Sequence, residues 1–261
     1  MAYPVYLTIG NIPKEIRRKP SRHAQILVAY LPTSKLEGFN NKTAHRCTIA
    51  NLFHSCLRHI FDPITPYGKT GIAMASGDGV WHRCHPIFAC FVGDYPEQVL
   101  VTCTYSGHCP KCLVPPDQLG EPDTFPSRNY RQALKLYSLA DGDACPFHAA
   151  CREARLKPVF RPFWENFPLA DVYLSVTPDI LHQLLQGVMK HLISWLTSPS
   201  AFGPAAIDAR CRSIPPNHHI KLFSKGIMSL SRISGKEHKA ICRILIGLVV
   251  DLPLPHQHVP T

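Results

Sequence analysis

The pattern of apolar and polar positions lays out the first half of the chain as alternating strands and helices. Residues 3–9 alternate, with Val5, Leu7 and Ile9 on one side and Tyr6 and Thr8 on the other, which predicts a strand. Gly10 and Asn11 turn the chain. Residues 24–31 (AQILVAYL), stopped by Pro32, predict a short buried strand. In residues 43–61 the positions Ile49, Leu52, Phe53, Cys56, Leu57, Ile60 and Phe61 share one helical face. Thr43 is placed to cap that helix, and Pro63 and Pro66 end it. Residues 87–92 and 99–103 read as further strands. The expected arrangement sets 24–31 and 87–92 side by side as buried strands, with the 43–61 helix on one face of them.

From residue 103 the texture changes. Pro110, Pro115, Pro116, Pro122 and Pro126 cluster, and the only periodic stretch is a short helix near 130–139. This reads as an irregular insert held by something other than a large apolar core. Residues 176–195 give the strongest helix, with Thr177 as cap, Pro178 at its first position and Asp179 in its first turn. Its stripe is Leu181, Leu184, Leu185, Val188, Met189, Leu192 and Ile193. Weaker helices follow at 204–212 and 236–250. The expected division is therefore a core region 1–102, an insert 103–175 and a helical segment 176–261.

Composition narrows the class. A hydrophobic fraction of 45% supports a real core, and a net charge of +10 favours a polyanionic partner, nucleic acid first. Eleven cysteines, an odd number, argue against a complete disulfide framework. The N-terminal residues show no secretory pattern, and the longest apolar run, 244–250, is broken by Gly247 and too short for a bilayer. The expected setting is nuclear or cytoplasmic, with reduced thiols that serve as buried apolar groups or metal ligands.

Three groups of residues have the chemistry for a site. Cys109-Pro110-Lys111-Cys112 has the spacing with which two thiolates grip one tetrahedral zinc from a tight turn, with Cys103 and His108 close in sequence. Reduced structural cysteines are the plain alternative. Asp179 and His182 are three apart on a helix and so share a face. There the plain reading is a carboxylate at a helix start and a histidine beside the core, and His191 and His148 are weaker candidates of the same kind. Asp94 follows an apolar run and precedes a turn, where a carboxylate serves either as a turn residue or as one ligand of a Mg²⁺ ion. No HExxH helix supports a zinc hydrolase.

Residues 3–13 (YPVYLTIGNIP), 91–98 (FVGDYPEQ), 109–112 (CPKC) and 178–191 (PDILHQLLQGVMKH) together resemble the Plavaka transposases of mushroom-forming fungi, which belong with the CACTA-type cut-and-paste elements. The resemblance runs over nearly the whole chain. It implies an RNase H-like core in which Asp, Asp and Glu hold two Mg²⁺ ions, interrupted by a cysteine/histidine insert. Asp94 matches the second Asp, Cys109 and Cys112 match the insert's cysteine pair, and His182 becomes the third ligand of a structural zinc. The first Asp of the family precedes the segment that begins here at Tyr3, and the Glu lies beyond Thr261.

The expectation is thus an α/β chain with a partial RNase H-like sheet, a zinc-binding cysteine/histidine insert and C-terminal helices. Its expected role is a transposase fragment without cleavage activity of its own. The alternative is a DNA-binding or multimerising module derived from a transposon. DNA is the expected partner, self-association is left open, and neither a membrane nor a small-molecule substrate is expected.

Overall fold

The computed structural model describes residues 2–33 and 36–252. They form a mixed α/β chain of two compact units, residues 1–177 and 178–261.

The first unit opens with an antiparallel ribbon. β1 (Ala2–Thr8) pairs with β2 (Gln25–Pro32), with a register shift at Val5/Tyr6. Both strands were expected, but β2 is mostly exposed rather than buried. Only Val5 and Leu31 reach the core, while Tyr6, Ile26 and Tyr30 are each more than half exposed. Neither strand carries a charged side chain, so the ribbon lacks the charges that usually blunt an open edge. The connection between them is basic: α1 (Lys14–Arg17) and the turn Pro20–Arg22 place Lys14, Arg18, Lys19 and Arg22 in solvent.

The long helix α2 (Lys42–Phe61) forms as expected, but Asn41 caps it rather than Thr43, accepting from the Thr43 and Ala44 amides at 2.8 and 3.2 Å. It buries Ala50, His54 and Leu57. After α3 (Tyr67–Thr70) comes a hairpin not anticipated from the pattern, β3 (Ile72–Ala75) with β4 (Trp81–Cys84). Its turn contains Asp78 and the left-handed Gly79.

Two expected strands are not strands. Residues 87–92 form no strand: their one ladder contact among the described residues is a parallel bridge of Phe91 to Val176, so they do not neighbour β2 in a sheet. Phe88 and Phe91 turn to the core while Ile87 and Val92 stay exposed, so the run is not buried as a whole. Residues 99–103 belong instead to helix α4 (Tyr95–Val101) and its C-terminus. Here the Asp94 cap and Pro96 in the first turn outweigh the strand preference of Val99 and Val101.

The proline-rich stretch holds most of the main core. Helices α5 (Tyr130–Tyr137) and α6 (Ala144–Glu153) bring Ala133, Tyr137, Phe147 and Cys151 against Val159, Phe163, Trp164 and Phe167. Trp164 is fully buried and donates its indole N–H to the Val101 carbonyl at 2.7 Å. The expectation of an insert without a large apolar core is therefore corrected: aromatic side chains on irregular backbone supply it. α7 (Val172–Ser175) ends the unit.

The second unit begins with the helix expected at 176–195, altered in two ways. Asp179, not Thr177, is its cap, accepting from the Leu181 and His182 amides. Its first ten residues, Ile180–Met189, are π-helical, followed by α8 (Lys190–Leu196). The wider π turn breaks the three-and-four stripe, and no residue of the segment is fully buried. α9 (Pro204–Ser213) and α10 (Gly235–Val249) match expectation, the latter closed by a capping box of Ser234 and Glu237. Ile207, Cys211, Phe223, Ile227, Ile241, Ile244 and Leu248 form their core.

Candidate catalytic and metal-binding residues

Asp94 sits three residues past the Phe91 bridge, at the N-cap of α4, and its carboxylate accepts the Glu97 amide at 3.1 Å. The loop before it is clamped. The buried Gln98 amide donates to the Gly93 carbonyl at 2.9 Å and to the Thr177 carbonyl at 2.7 Å, while the Phe91 amide donates to the Ser175 carbonyl at 2.9 Å. Gly93 is closely approached by the Glu97 and Phe91 side chains, so a Cβ there would force one of them to shift. Glu97 therefore folds back toward the residue before Asp94. Gln98 was not picked out from the sequence, since its partners are backbone carbonyls, one of them 79 residues away.

The Tyr95 hydroxyl ties the start of α4 to the cysteine turn, donating to the His108 carbonyl at 2.9 Å and accepting the Gly107 amide at 2.8 Å. In that turn the Lys111 amide donates to the Cys109 sulfur at 3.4 Å. The Cys112 thiol is raised above its ordinary pKa by burial first, and also by its contact with the Cys109 thiol. Cys109 and Cys112 thus sit in one turn, where the Cys109 thiol influences the titration of Cys112. The turn is held from both sides: Lys111 Nζ donates to the Tyr173 and Val176 carbonyls at 3.2 and 2.8 Å, and Arg128 Nε donates to the Cys109 carbonyl at 2.8 Å.

The other expected ligands have surroundings of their own. His182 belongs to the second unit, is half exposed, and places Nδ1 2.5 Å from the Asp179 carboxylate. Cys103 is fully buried with its sulfur 3.3 Å from His54 Nε2, and burial pushes its thiol up to about 12, so it stays protonated. His108 has a buried Nδ1 with no hydrogen-bond partner among the described residues, and burial, followed by Arg128 and Arg155, lowers its pKa. Among the described residues no three His, Cys, Asp or Glu side chains come together as a metal-holding set.

No helix of the described residues is long and apolar enough to cross a membrane. No curated protein and no solved structure matches the chain. The family model of the Plavaka transposase matches residues 1–196 of the 261. The matched span includes the ribbon, Asp94, the cysteine turn and His182, and the chain belongs to the Plavaka transposase family.

Proposed function

We propose that the chain is a transposase-derived DNA-binding unit that does not cut DNA by itself. One observation carries this reading: the Asp94 carboxylate is engaged as the cap of α4, accepting the Glu97 amide at 3.1 Å. Two-metal strand cleavage needs several carboxylates to fix both ions about 3.5–4 Å apart. Asp94 is the one residue of this site that we assign to that role, as the second carboxylate of an RNase H-like centre. The Phe91–Val176 parallel bridge supports such a core.

DNA contact is assigned to the basic tip of the ribbon, Lys14, Arg18, Lys19 and Arg22. Arg17 positions the tip rather than reaching out, since its Nε donates to the Ile12 carbonyl at 2.8 Å. Such contacts read phosphates and not bases, so binding should be independent of sequence. Releasing about one counterion per contact predicts that log K falls with log salt with a slope of about −3 to −4. Replacing Arg18, Lys19 and Arg22 by glutamate should flatten the slope and weaken binding at low salt by at least about tenfold. Sedimentation velocity with a duplex oligonucleotide reads affinity and mass together. Affinity that ignores salt contradicts the assignment. A dimer mass with no DNA bound would favour the alternative of a multimerising module, for which the uncharged, exposed ribbon is the matching surface.

Cys109 and Cys112 are assigned as two ligands of a structural zinc, on the strength of their two-residue spacing and the Lys111 N–H···S bond that shapes the turn. The expected zinc content is about one per chain by elemental analysis, falling by more than half in Cys112→Ser. Metal-free protein from a zinc-supplemented preparation would overturn the assignment.

A further inference from the structure

A cavity of about 580 Å³ opens beside the cysteine turn, between α5 and the end of α6. Arg128 lines it and is 6% exposed. Its Nε is used on the Cys109 carbonyl, but its two terminal nitrogens bond to nothing among the described residues, and no carboxylate pairs with it. A guanidinium cannot shed its charge, and a buried cation without a counter-charge is strongly disfavoured. Neither terminal nitrogen is sealed off, and Arg128 is part of the cavity lining.

A second cation lies at the same cavity. Arg155 follows the C-cap of α6, and the Leu156 and Arg155 amides donate to the Cys151 and Arg152 carbonyls at 2.8 and 3.1 Å. That bonding closes a helix at a position where glycine is favoured, because the residue takes a left-handed conformation. Arg155 adopts it at φ 55°. The chain thus tolerates backbone strain where it places a charge at the cavity. Leu113, Ala133, Leu136 and Leu156 form an apolar wall, Gln132 lies next to it, and Glu153 also lines the cavity, two residues before Arg155.

We propose that this cavity binds one nucleotide, its phosphate on Arg128 and Arg155 and its base against the apolar wall. The volume is that of a small-molecule site and exceeds what a bare anion fills. The positive N-terminal end of α5, which begins directly after Asn129, adds to the field. A DNA strand end is the assigned source, and that part rests on the DNA-binding reading above.

The test is calorimetric titration of the full chain with dAMP, deoxyadenosine and inorganic phosphate, followed by single-stranded oligonucleotides with and without a 5′-phosphate. dAMP should bind more tightly than phosphate, and deoxyadenosine should not bind measurably. Arg128→Gln should weaken dAMP by about tenfold or more, as expected for charge-assisted bonds. Should that variant fold poorly, Arg155→Gly decides. It relieves the backbone, so its Tm should hold or rise, while dAMP affinity drops about tenfold. Equal binding of dAMP and deoxyadenosine, or an Arg155→Gly chain that binds dAMP like the parent, overturns the proposal. An oligonucleotide that binds both chains alike through salt-sensitive contacts sinks the cavity and leaves the basic tip standing. dAMP binding in a chain that ignores DNA supports the phosphate site and overturns the strand end as its source.

Discussion

Trp164→Ala is expected to destabilise the first unit by about 4–5 kcal/mol, the typical upper range for emptying a buried aromatic site. Trp164 is fully buried, and its ring packs on Tyr130 and Tyr137 at centroid distances of 5.6 and 5.8 Å. Its N–H also satisfies the Val101 carbonyl at the end of α4. Alanine leaves a cavity and an orphaned acceptor together, and a domain holds only roughly 5–15 kcal/mol in all. Trp164→Phe keeps the six-membered ring and loses the hydrogen bond with a smaller cavity, for a smaller loss of about 2–3 kcal/mol. Urea unfolding followed by near-UV circular dichroism reads both. A midpoint unchanged in the alanine variant would mean that the aromatic core described here is not the one that holds the unit.

Acid should unfold the same unit through His54. This ring is fully buried on α2, with Nε2 donating to the Leu100 carbonyl at 3.0 Å and Nδ1 accepting the Phe163 amide at 3.4 Å. Both nitrogens are therefore engaged with the ring neutral, and protonation of Nδ1 would set a donor against a donor. Burial pulls the His54 pKa from 6.5 down to about 4, against the opposing pull of the Leu100 carbonyl and with help from Lys157 and Arg58. Between those two pH values the unfolded chain takes up a proton that the native chain refuses. Stability is thus fully present above pH 6.5 and is lost as pH falls toward about 4, by about 3 kcal/mol in total. His54→Gln should remove that slope, and the difference between the two pH profiles isolates the histidine from titrating carboxylates. Parallel profiles would contradict the assignment.

What the sequence reveals is unequal along the chain. α2, α9 and α10 are readable because each carries a cap or an apolar face within its own residues. The ribbon strands are readable for the same reason. Residues 87–92 misled because an apolar run signals burial without saying what lies beside it, and here only Phe91 finds a ladder partner. Residues 99–103 misled because a single aspartate, Asp94, starts a helix through β-branched residues. The core around Trp164 was invisible, since Phe163, Trp164 and Phe167 lie on irregular backbone with no period to detect. Of the site, Asp94 and the cysteine turn were marked by local pattern. Gln98 and Arg128 were not, because what defines them is a distant carbonyl in one case and a missing counter-charge in the other.

A strand-cleavage assay tests the central claim most directly. The full chain is incubated with donor DNA bearing matched terminal repeats, in Mg²⁺ and then in Mn²⁺, with binding measured in the same samples. Bound DNA with intact strands is expected, equally for the parent and for Asp94→Ala, since the Asp94 carboxylate serves as the cap of α4. Cleavage by the parent that disappears in Asp94→Ala would contradict it, and would make this chain a working nuclease.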